Sequence, residues 1–396
     1  MENIRSTLFV EINKFEYIFA VGNYKNDNTC ELLQKINVPI KGITNNKISD
    51  FEIFLSIIKE NIFLIEQKLN CNLKDVVIIL DTFEYYTTSV SGFKKLNGSQ
   101  LSKENISYII NSLKLKISEN EPLKTILHIF NSKYFLDEKE IDNLPIGLFG
   151  NFYSHELSFF LIDENDLKNI QNIFKKCNLR IKKIISNDFL EGINLINENA
   201  NLDNFFKIKL NEDSLQLTFF ENSSIQFIQH FDFGTSYILK DISKVTGLSI
   251  EIVEEILEKS NFSKNNLNDS IEKDYFKDIN FRTIKKQLIL EIAEARIKEY
   301  SDIVLFKNIN VKKFLQKQGV IFLQIHDGKT SCFKNSYEFV FSKNNFFKIK
   351  TFWHDQFGDF YSVAKNLVQF GWKSEAIPIV RENKSIITRI FEKFFK

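Results

Sequence analysis

At 396 residues, 43% hydrophobic and 26% charged, the chain is long enough for several lobes around a sizeable core. Its 52 basic and 51 acidic residues nearly cancel, which excludes a nucleic-acid binder of the kind marked by a strongly basic domain. The 41 Phe stand beside only 13 Gly and 4 Pro, with Ile, Lys and Asn also abundant; an AT-rich genome imposes this bias, so the Phe are not read as base-stacking platforms.

The chain opens with alternating strands at Leu8 to Ile12 and Tyr17 to Val21, followed by a turn at Asn23 to Asn28. Phe51, Phe54, Leu55, Ile58, Ile62 and Ile65 recur at helical spacing, with Asp50 placed to cap that helix. Asp75 to Leu80 is a short apolar run suited to a buried strand ending at Asp81. Strand, strand, helix, strand is the order of an α/β layer architecture. Gly92 to Ser99 reads as a turn-rich polar piece, and Lys103 to Lys116 as a helix with Ile106, Ile109, Ile110 and Leu113 on one face. Strands at Thr125 to Phe130, Tyr134 to Leu136 and Leu157 to Ile162 come next, then a helix at Asp166 to Cys177. A small strand-rich lobe inserted into a larger α/β domain fits that order. From Phe206 the opening repeats: strands to Leu210, from Leu215 to Phe220 and from Ile225 to Phe231, then helices at Ile238 to Val245, Ile250 to Lys259 and Ile284 to Tyr300. Two halves that each begin with a hairpin suggest an internal duplication.

Motifs for chemistry are sparse. Cys30, Cys71, Cys177 and Cys332 form no CxxC pair, so neither a metal nor a disulfide framework is expected and a reducing cytoplasm is the default. The N-terminus lacks a signal-peptide pattern, and no apolar run is long enough to cross a bilayer. His128, His155, His230, His326 and His354 have no metalloenzyme spacing, and GxSxG, Walker and GxGxxG patterns are missing. The pairs Glu254 with Glu255 and Glu291 with Glu294 read as solvated helix faces. No catalytic residues are therefore expected. Backbone can approach a phosphate closely only through glycine-rich turns. The turns at Glu11 to Glu16 and Leu210 to Leu215 contain no glycine, and Glu212 with Asp213 would repel phosphate.

The last stretch, about Lys384 to Lys396, is a basic amphipathic helix. At roughly 100° per residue, Ile386, Ile387, Ile390, Phe391, Phe394 and Phe395 occupy one half of the wheel; Arg389, Lys393 and Lys396 lie on the other with Ser385, Thr388 and Glu392. Half-burying six such side chains in a membrane interface contributes on the order of 5–8 kcal/mol. Each cation beside an anionic leaflet adds about 1 kcal/mol, and ordering a short helix offsets part of the sum. Docking on the protein's own core remains the alternative use of such a face.

The centre of the chain carries a more specific signature. Tyr134, Phe135, Leu136 and Asp137, then Ile141, Pro145, Gly147, Leu148 and Gly150, resemble the Tyr-x-Ile-Asp and Pro-x-Gly-Met-x-Gly run of FtsA, the actin-like bacterial division protein. Asn165, Asp166, Lys168, Asn169, Ile170, Cys177 and Leu179 continue the likeness, as do Lys41 with Gly42, Asp241 with Ile242, and Arg296 with Glu299. The resemblance implies an α/β, actin-like fold with two halves around a cleft and an inserted strand-rich lobe. In that scheme residues 1–83, 165–200 and 350–379 form the first lobe and 84–164 the insertion. Residues 201–349 form the second half, with its smaller lobe at about 240–300; 380–383 are a linker and 384–396 the membrane helix. It further implies a peripheral place on the cytoplasmic face of the inner membrane at the division site. The implied partners are the FtsZ C-terminal tail, further copies of the chain, later division membrane proteins and anionic lipid.

The family also implies ATP with Mg, held here by Asn13, Lys14, Asn211, Gly234, Glu255 and Gly328. Those positions depart from its motifs. The acidic-x-Gly-Ser/Thr-x-Lys loop reads Glu11, Ile12, Asn13, Lys14, Phe15, Glu16, and the Asp-x-Gly-Gly loop reads Lys209, Leu210, Asn211, Glu212. The Thr-Gly-Gly-Gly stretch reads about Leu323 to His326, with Gly328 and Lys329 nearby, and the lysine expected after Glu255 is Glu258, next to Lys259. The expectation is weakened or lost nucleotide binding, a vestigial ATPase at most, with scaffold and anchor kept. A PilM-like scaffold of a pilus or secretion assembly is the alternative, and a small-molecule kinase of the same superfold is opposed by the altered turns.

Overall fold

The computed structural model describes residues 6–24, 30–199, 202, 204–260, 262, 266–276, 282–312, 314–315, 319–342, 347–353 and 360–376. The amphipathic tail expected at 384–396, with its linker, lies outside the described residues, as does His354.

In chain order the elements are β1 (Thr7–Ile12), β2 (Glu16–Tyr24), β3 (Cys30–Pro39), the short pair β4 (Ile43–Thr44) and β5 (Lys47–Ile48), α1 (Phe51–Leu69) and β6 (Asp75–Leu80). Then come β7 (Tyr85–Lys95), α2 (Lys103–Asn120), β8 (Lys124–Leu136), β9 (Lys139–Ile141), β10 (Phe152–Asp163), α3 (Glu164–Lys176), β11 (Arg180–Ser186) and α4 (Asn187–Glu198). The second half contains β12 (Asn204–Leu210), β13 (Leu215–Glu221), β14 (Ser224–Phe231), α5 (Ser236–Thr246), α6 (Ile250–Lys259) and α7 (Lys286–Ser301). It continues through β15 (Val320–Ile325), α8 (Lys334–Phe341) and β16 (Lys348–Trp353), and α9 (Phe360–Phe370) comes after it.

Two five-stranded sheets repeat one plan. The first runs β11-β6-β1-β2-β3 and the second β14-β13-β12-β15-β16. In each, the opening strand pairs antiparallel with its hairpin partner and parallel with a later strand, as in β1 with β2 and β6, and β12 with β13 and β15. The duplication suggested by the two hairpin openings is thus present in the topology. Between β6 and α3 a third, antiparallel sheet of order β7-β10-β8-β9 packs against α2.

Local chemistry explains most of these boundaries. Asp50 caps α1 by accepting from Ile53 N at 2.9 Å, and Ser102 with Asn105 forms a capping box on α2. The residues Phe54, Leu55, Ile58, Ile62 and Ile65 are buried along one side of α1, as their spacing requires. Three readings change. Gly92 to Lys95 continue strand β7, because a Cβ at Gly92 would lie 2.5 Å from Ile109 Cγ2; the glycine lets α2 pack directly on the strand. Thr125 to Leu136 is one strand, bent by register shifts against β10. Residues 348–353 pair in parallel with β15 in the second sheet, so the return to the first half comes only at α9, which packs on α4.

The two halves share apolar ground at their seam. Phe205 and Phe220 of the second sheet stack at 4.5 Å, nearly parallel, within the same core as Phe9, Phe189 and Leu190 of the first half. Gly192 on α4 faces that pair: a Cβ there would lie 2.0 Å from Phe220 Cζ. Gly192→Ala should lower unfolding stability by about 1–2 kcal/mol, since overpacking outweighs the helix-propensity gain. Urea unfolding measures this, and an unchanged or higher midpoint would contradict the close contact.

Candidate functional site

The hairpin turns β1–β2 and β12–β13 face each other across the cleft. In the first, Asn13 Oδ1 accepts from the backbone N–H groups of Phe15 and Glu16 at 2.9 and 2.8 Å, closing an Asx-type turn where a phosphate-binding hairpin would present free N–H groups. Lys14 Nζ crosses the gap to donate to Ser214 Oγ at 3.1 Å, and Asn211 Nδ2 donates to the same oxygen at 3.1 Å. Gly234 packs against the second turn so closely that a Cβ would lie 2.3 Å from Asn211 O. The backbone behind it is fixed by Thr235 N to Asn211 O and Ser236 N to Glu212 O.

Beneath the turns lies a cluster of charge. Lys207 and Lys209 are two residues apart on β12, so they share a face, and both are buried. Lys209 Nζ donates to both oxygens of Asp81 at 2.6 and 2.8 Å. Lys207 Nζ donates to Asp188 Oδ1 at 2.9 Å and to Glu191 Oε2. The remaining carboxylate oxygens are also engaged: Gln216 donates to Asp188 Oδ2 at 2.6 Å, and Asn187 and Gln324 donate to Glu191 Oε1 at 3.0 and 3.4 Å. Asp81, Asp188 and Glu191 come from the first half and both lysines from the second. Each ion pair therefore crosses the cleft. A buried pair stripped of one partner leaves an uncompensated charge that costs on the order of 3–5 kcal/mol.

The titrations reflect this crowding. Burial works against the Lys207 charge, but Asp188 and Glu191 outweigh it and raise its pKa; Asp81 does the same for Lys209. Burial likewise opposes ionisation of Asp188, yet the Lys207 and Lys209 charges and the hydrogen bonds from Lys207 and Gln216 hold it at about 2. Glu11, on β1 beside Asp81, has no lysine of its own. Burial, then the Asp81 charge, pushes it up to about 7.

At the outer side of the second turn, Lys329 Nζ bridges Glu212 at 3.2 Å and Glu254 at 2.8 Å, so the acidic turn is neutralised from within its own half. Asp213 accepts from Ser236 Oγ at 2.9 Å, and Asp327 accepts from Thr235 Oγ1 and from Lys329 N at 2.5 and 2.9 Å. Glu255 is turned to Lys259 on its own helix at 2.7 Å, and Gly328 opens on space that a Cβ would not obstruct. Of the positions singled out by motif, the structure thus gathers Asn13, Lys14, Asn211 and Gly234 around the two turns. The motif positions pass over Asp188, Glu191 and Lys207. Their signal is present in the sequence as two lysines alternating with Phe206, Ile208 and Leu210 on a strand flanked on both sides. A cavity of about 440 Å³ lies elsewhere, between β7, β8 and β10 of the inserted lobe and β12 to β14. Among the described residues no group of three or more His, Cys, Asp or Glu could hold a metal ion, and no helix is long and apolar enough to cross a membrane.

Two like sheets facing across a cleft, with a lobe inserted into the first half, define an actin-like α/β protein. Consistent with that, the chain superposes on the PilM–PilN type IV pilus biogenesis complex with a TM-score of 0.54, at 9% identity, over 92% of this chain and 98% of that one. No family model matches the sequence. Among curated proteins, the cell division protein FtsA of Buchnera aphidicola subsp. Acyrthosiphon pisum is 22% identical over 344 residues, or 84% of this chain and 82% of that protein. FtsA of the Baizongia pistaciae strain is 22% identical over 92% of this chain and 90% of its own length. FtsA of Escherichia coli K12 is 17% identical over 78% of this chain and 74% of its own. The chain is a divergent relative of the FtsA proteins.

The raised Glu11 has a measurable consequence. Its folded pKa lies above the ordinary value of 4.5, so the folded state holds the extra proton between about pH 4.5 and 7. Its contribution is therefore fully present below that window and is lost as pH rises through 7. Relative to Glu11→Gln, the native protein should lose on the order of 1–3 kcal/mol across that window. Denaturation of both proteins at a series of pH values measures the difference, and parallel curves would refute the assignment.

Proposed function

We propose that the chain is a membrane-tethered, actin-like scaffold of the division machinery that anchors the FtsZ ring to the inner membrane. It binds the FtsZ C-terminal tail, associates with further copies of itself and recruits later division membrane proteins. The observation that carries this reading is the co-linear similarity to FtsA proteins over most of both chains, on an actin-like fold. The tail supports it through the separation of Ile386, Ile387, Ile390, Phe391, Phe394 and Phe395 from Arg389, Lys393 and Lys396, which suits an anionic bilayer interface.

In this reading the scaffold works without ATP and Mg, and is no ATPase. The cleft residues do not fit that cofactor. Asp81 already gives both oxygens to Lys209, Lys14 ties the two turns together, and neither turn offers a glycine. A phosphate chain between the turns would have to displace the Lys14–Ser214 contact and lie beside Glu212 and Asp213. Titration calorimetry with ATP and Mg2+ should therefore give no saturable binding in the micromolar range. A Kd of about 10 μM or tighter would overturn this part of the proposal.

The second reading is a PilM-like scaffold, since the PilM–PilN complex shares this fold. Deleting Ser385 to Lys396 separates the two. Loss of membrane and midcell localisation supports the division scaffold; unchanged localisation supports the other. Phe391→Glu with Phe394→Glu should release the protein from vesicles containing anionic lipid while leaving its far-UV spectrum intact. Persistent pelleting with those vesicles would count against the anchor. Co-sedimentation with FtsZ filaments from the same organism tests the partner directly.

A further inference from the structure

We infer that Lys207 and Lys209 act as built-in cations, holding the two halves closed on each other without a bound ligand. The inference rests on the reading that nucleotide is dispensable, and it names what takes over its place between the halves. The first half presents four carboxylates to the seam: Glu11 at the end of β1, Asp81 after β6, and Asp188 and Glu191 on the first turns of α4. Closing the second half over these acids removes the water that screens Asp81, Asp188 and Glu191 from one another, so closure needs positive charge inside the site. A fold that binds a metal–nucleotide complex can import that charge. In this chain it is covalently attached, on the cleft-facing side of β12.

The geometry is that of a seam rather than of a ligand cradle. Lys209 takes both oxygens of Asp81, and Lys207 sits between Asp188 and Glu191. Gln216 and Gln324, also from the second half, reach across to Asp188 and Glu191. At the mouth, Lys14 from the first half meets Ser214 from the second. Polar contacts thus run from the floor of the cleft to its rim, and the apolar Phe205–Phe220 stack lies in the core below. The lysines supply counter-charge to the acids of the first half, which lose their water when the seam closes. With them, closure joins opposite charges; without them, it strips water from the first half's carboxylates with no counter-charge facing them.

Hydrogen exchange of the full-length protein, read at the amides of α4 and β12, tests this. The native protein should show the same protection there with and without ATP and Mg2+. Lys209→Met should lower protection at both elements by about tenfold or more, while β8 and β10 of the inserted lobe stay protected and report an intact fold. Adding Asp81→Asn to Lys209→Met should restore at least half of the logarithmic loss, because neutralising the partner removes the repulsion; a purely packing role would show no rescue. Should Lys209→Met fail to fold, Lys209→Gln with Asp81→Asn, compared with Lys209→Gln alone, carries the same test through urea midpoints. Unchanged protection in Lys209→Met, or no rescue by Asp81→Asn, overturns the clamp and leaves the nucleotide reading standing. Increased protection of the native protein by ATP and Mg2+ overturns the nucleotide reading itself.

Discussion

Two lysines on one face of a central strand cannot be buried alone, and that constraint sets the way the halves of this protein meet. β12 lies between β13 and β15, so its residues alternate between two covered faces. Phe206, Ile208 and Leu210 enter the core of the second half, whereas Phe205, Lys207 and Lys209 turn to the seam. Desolvating an ammonium is costly, and its Coulomb attraction offsets the cost only when carboxylates are close and their other oxygens satisfied. Asp81, Asp188 and Glu191 meet both conditions, and α4 supplies two of the three from its first turns. The position of α4 against the second sheet is therefore fixed by charge on one side and by the Gly192–Phe220 contact on the other.

A second tie reinforces the same arrangement from outside the cleft. After α9 the chain bridges to β8 in the inserted lobe: Asn131 N donates to Ser374 O at 2.7 Å and Ala376 N to Ile129 O at 2.7 Å. Between them Glu375 accepts from Lys183 of the first sheet at 2.6 Å and pairs with His128 of the lobe at 3.1 Å. Burial opposes the charge on Glu375, but those two partners outweigh it and hold its pKa at about 2. Trp372 Nε1 and Ser374 Oγ reach the β13–β14 turn at Ser223 O and Asn222 O. The short run from Trp372 to Ala376 thus touches the first half, the inserted lobe and the second half. Both ties use ionised groups whose partners lie on different units, so relative movement of any unit exposes a charge it had compensated.

Elements with one clean apolar face were legible in the sequence. Helix α1 and strands β12 to β14 emerge directly from side-chain periodicity, and Asp50 marked its helix. β7 was obscured because its residues alternate between partly and fully exposed and because Gly92, read as a turn residue, is there to admit α2. Strand β11 and helix α4 gave no usable pattern: Asn187 to Leu195 are buried all round α4, so no polar stripe sets its period. The site divides in the same way. Asn13, Lys14, Asn211 and Gly234 could be placed by the family resemblance; the first three lie at hairpin turns and Gly234 in the connection from β14 to α5. The acids that receive the lysines could not, since Lys209 and Asp81 are 128 residues apart and nothing local in either segment specifies the pairing.

The missing glycines and the buried lysines are two sides of one substitution. A hairpin that cradles phosphate needs backbone N–H groups left free and a turn without side chains in the way. Here Asn13 consumes the N–H groups of its own turn, Lys14 spans to Ser214, and Asn211 donates to that same serine. Each change would be damaging to a ligand site taken singly, since it removes a donor or fills space. Together with Lys207 and Lys209 they form a connected set in which the donors have internal acceptors. Opening such a seam replaces satisfied contacts by hydrated ones, at a cost set by the sequence rather than by the concentration of a ligand. The inserted lobe and the C-terminal segment, which contact both halves, are then held in one relative position whatever occupies the surrounding solution. On the proposed reading, a scaffold that presents several surfaces in fixed register would draw that constancy from its own seam rather than from a ligand.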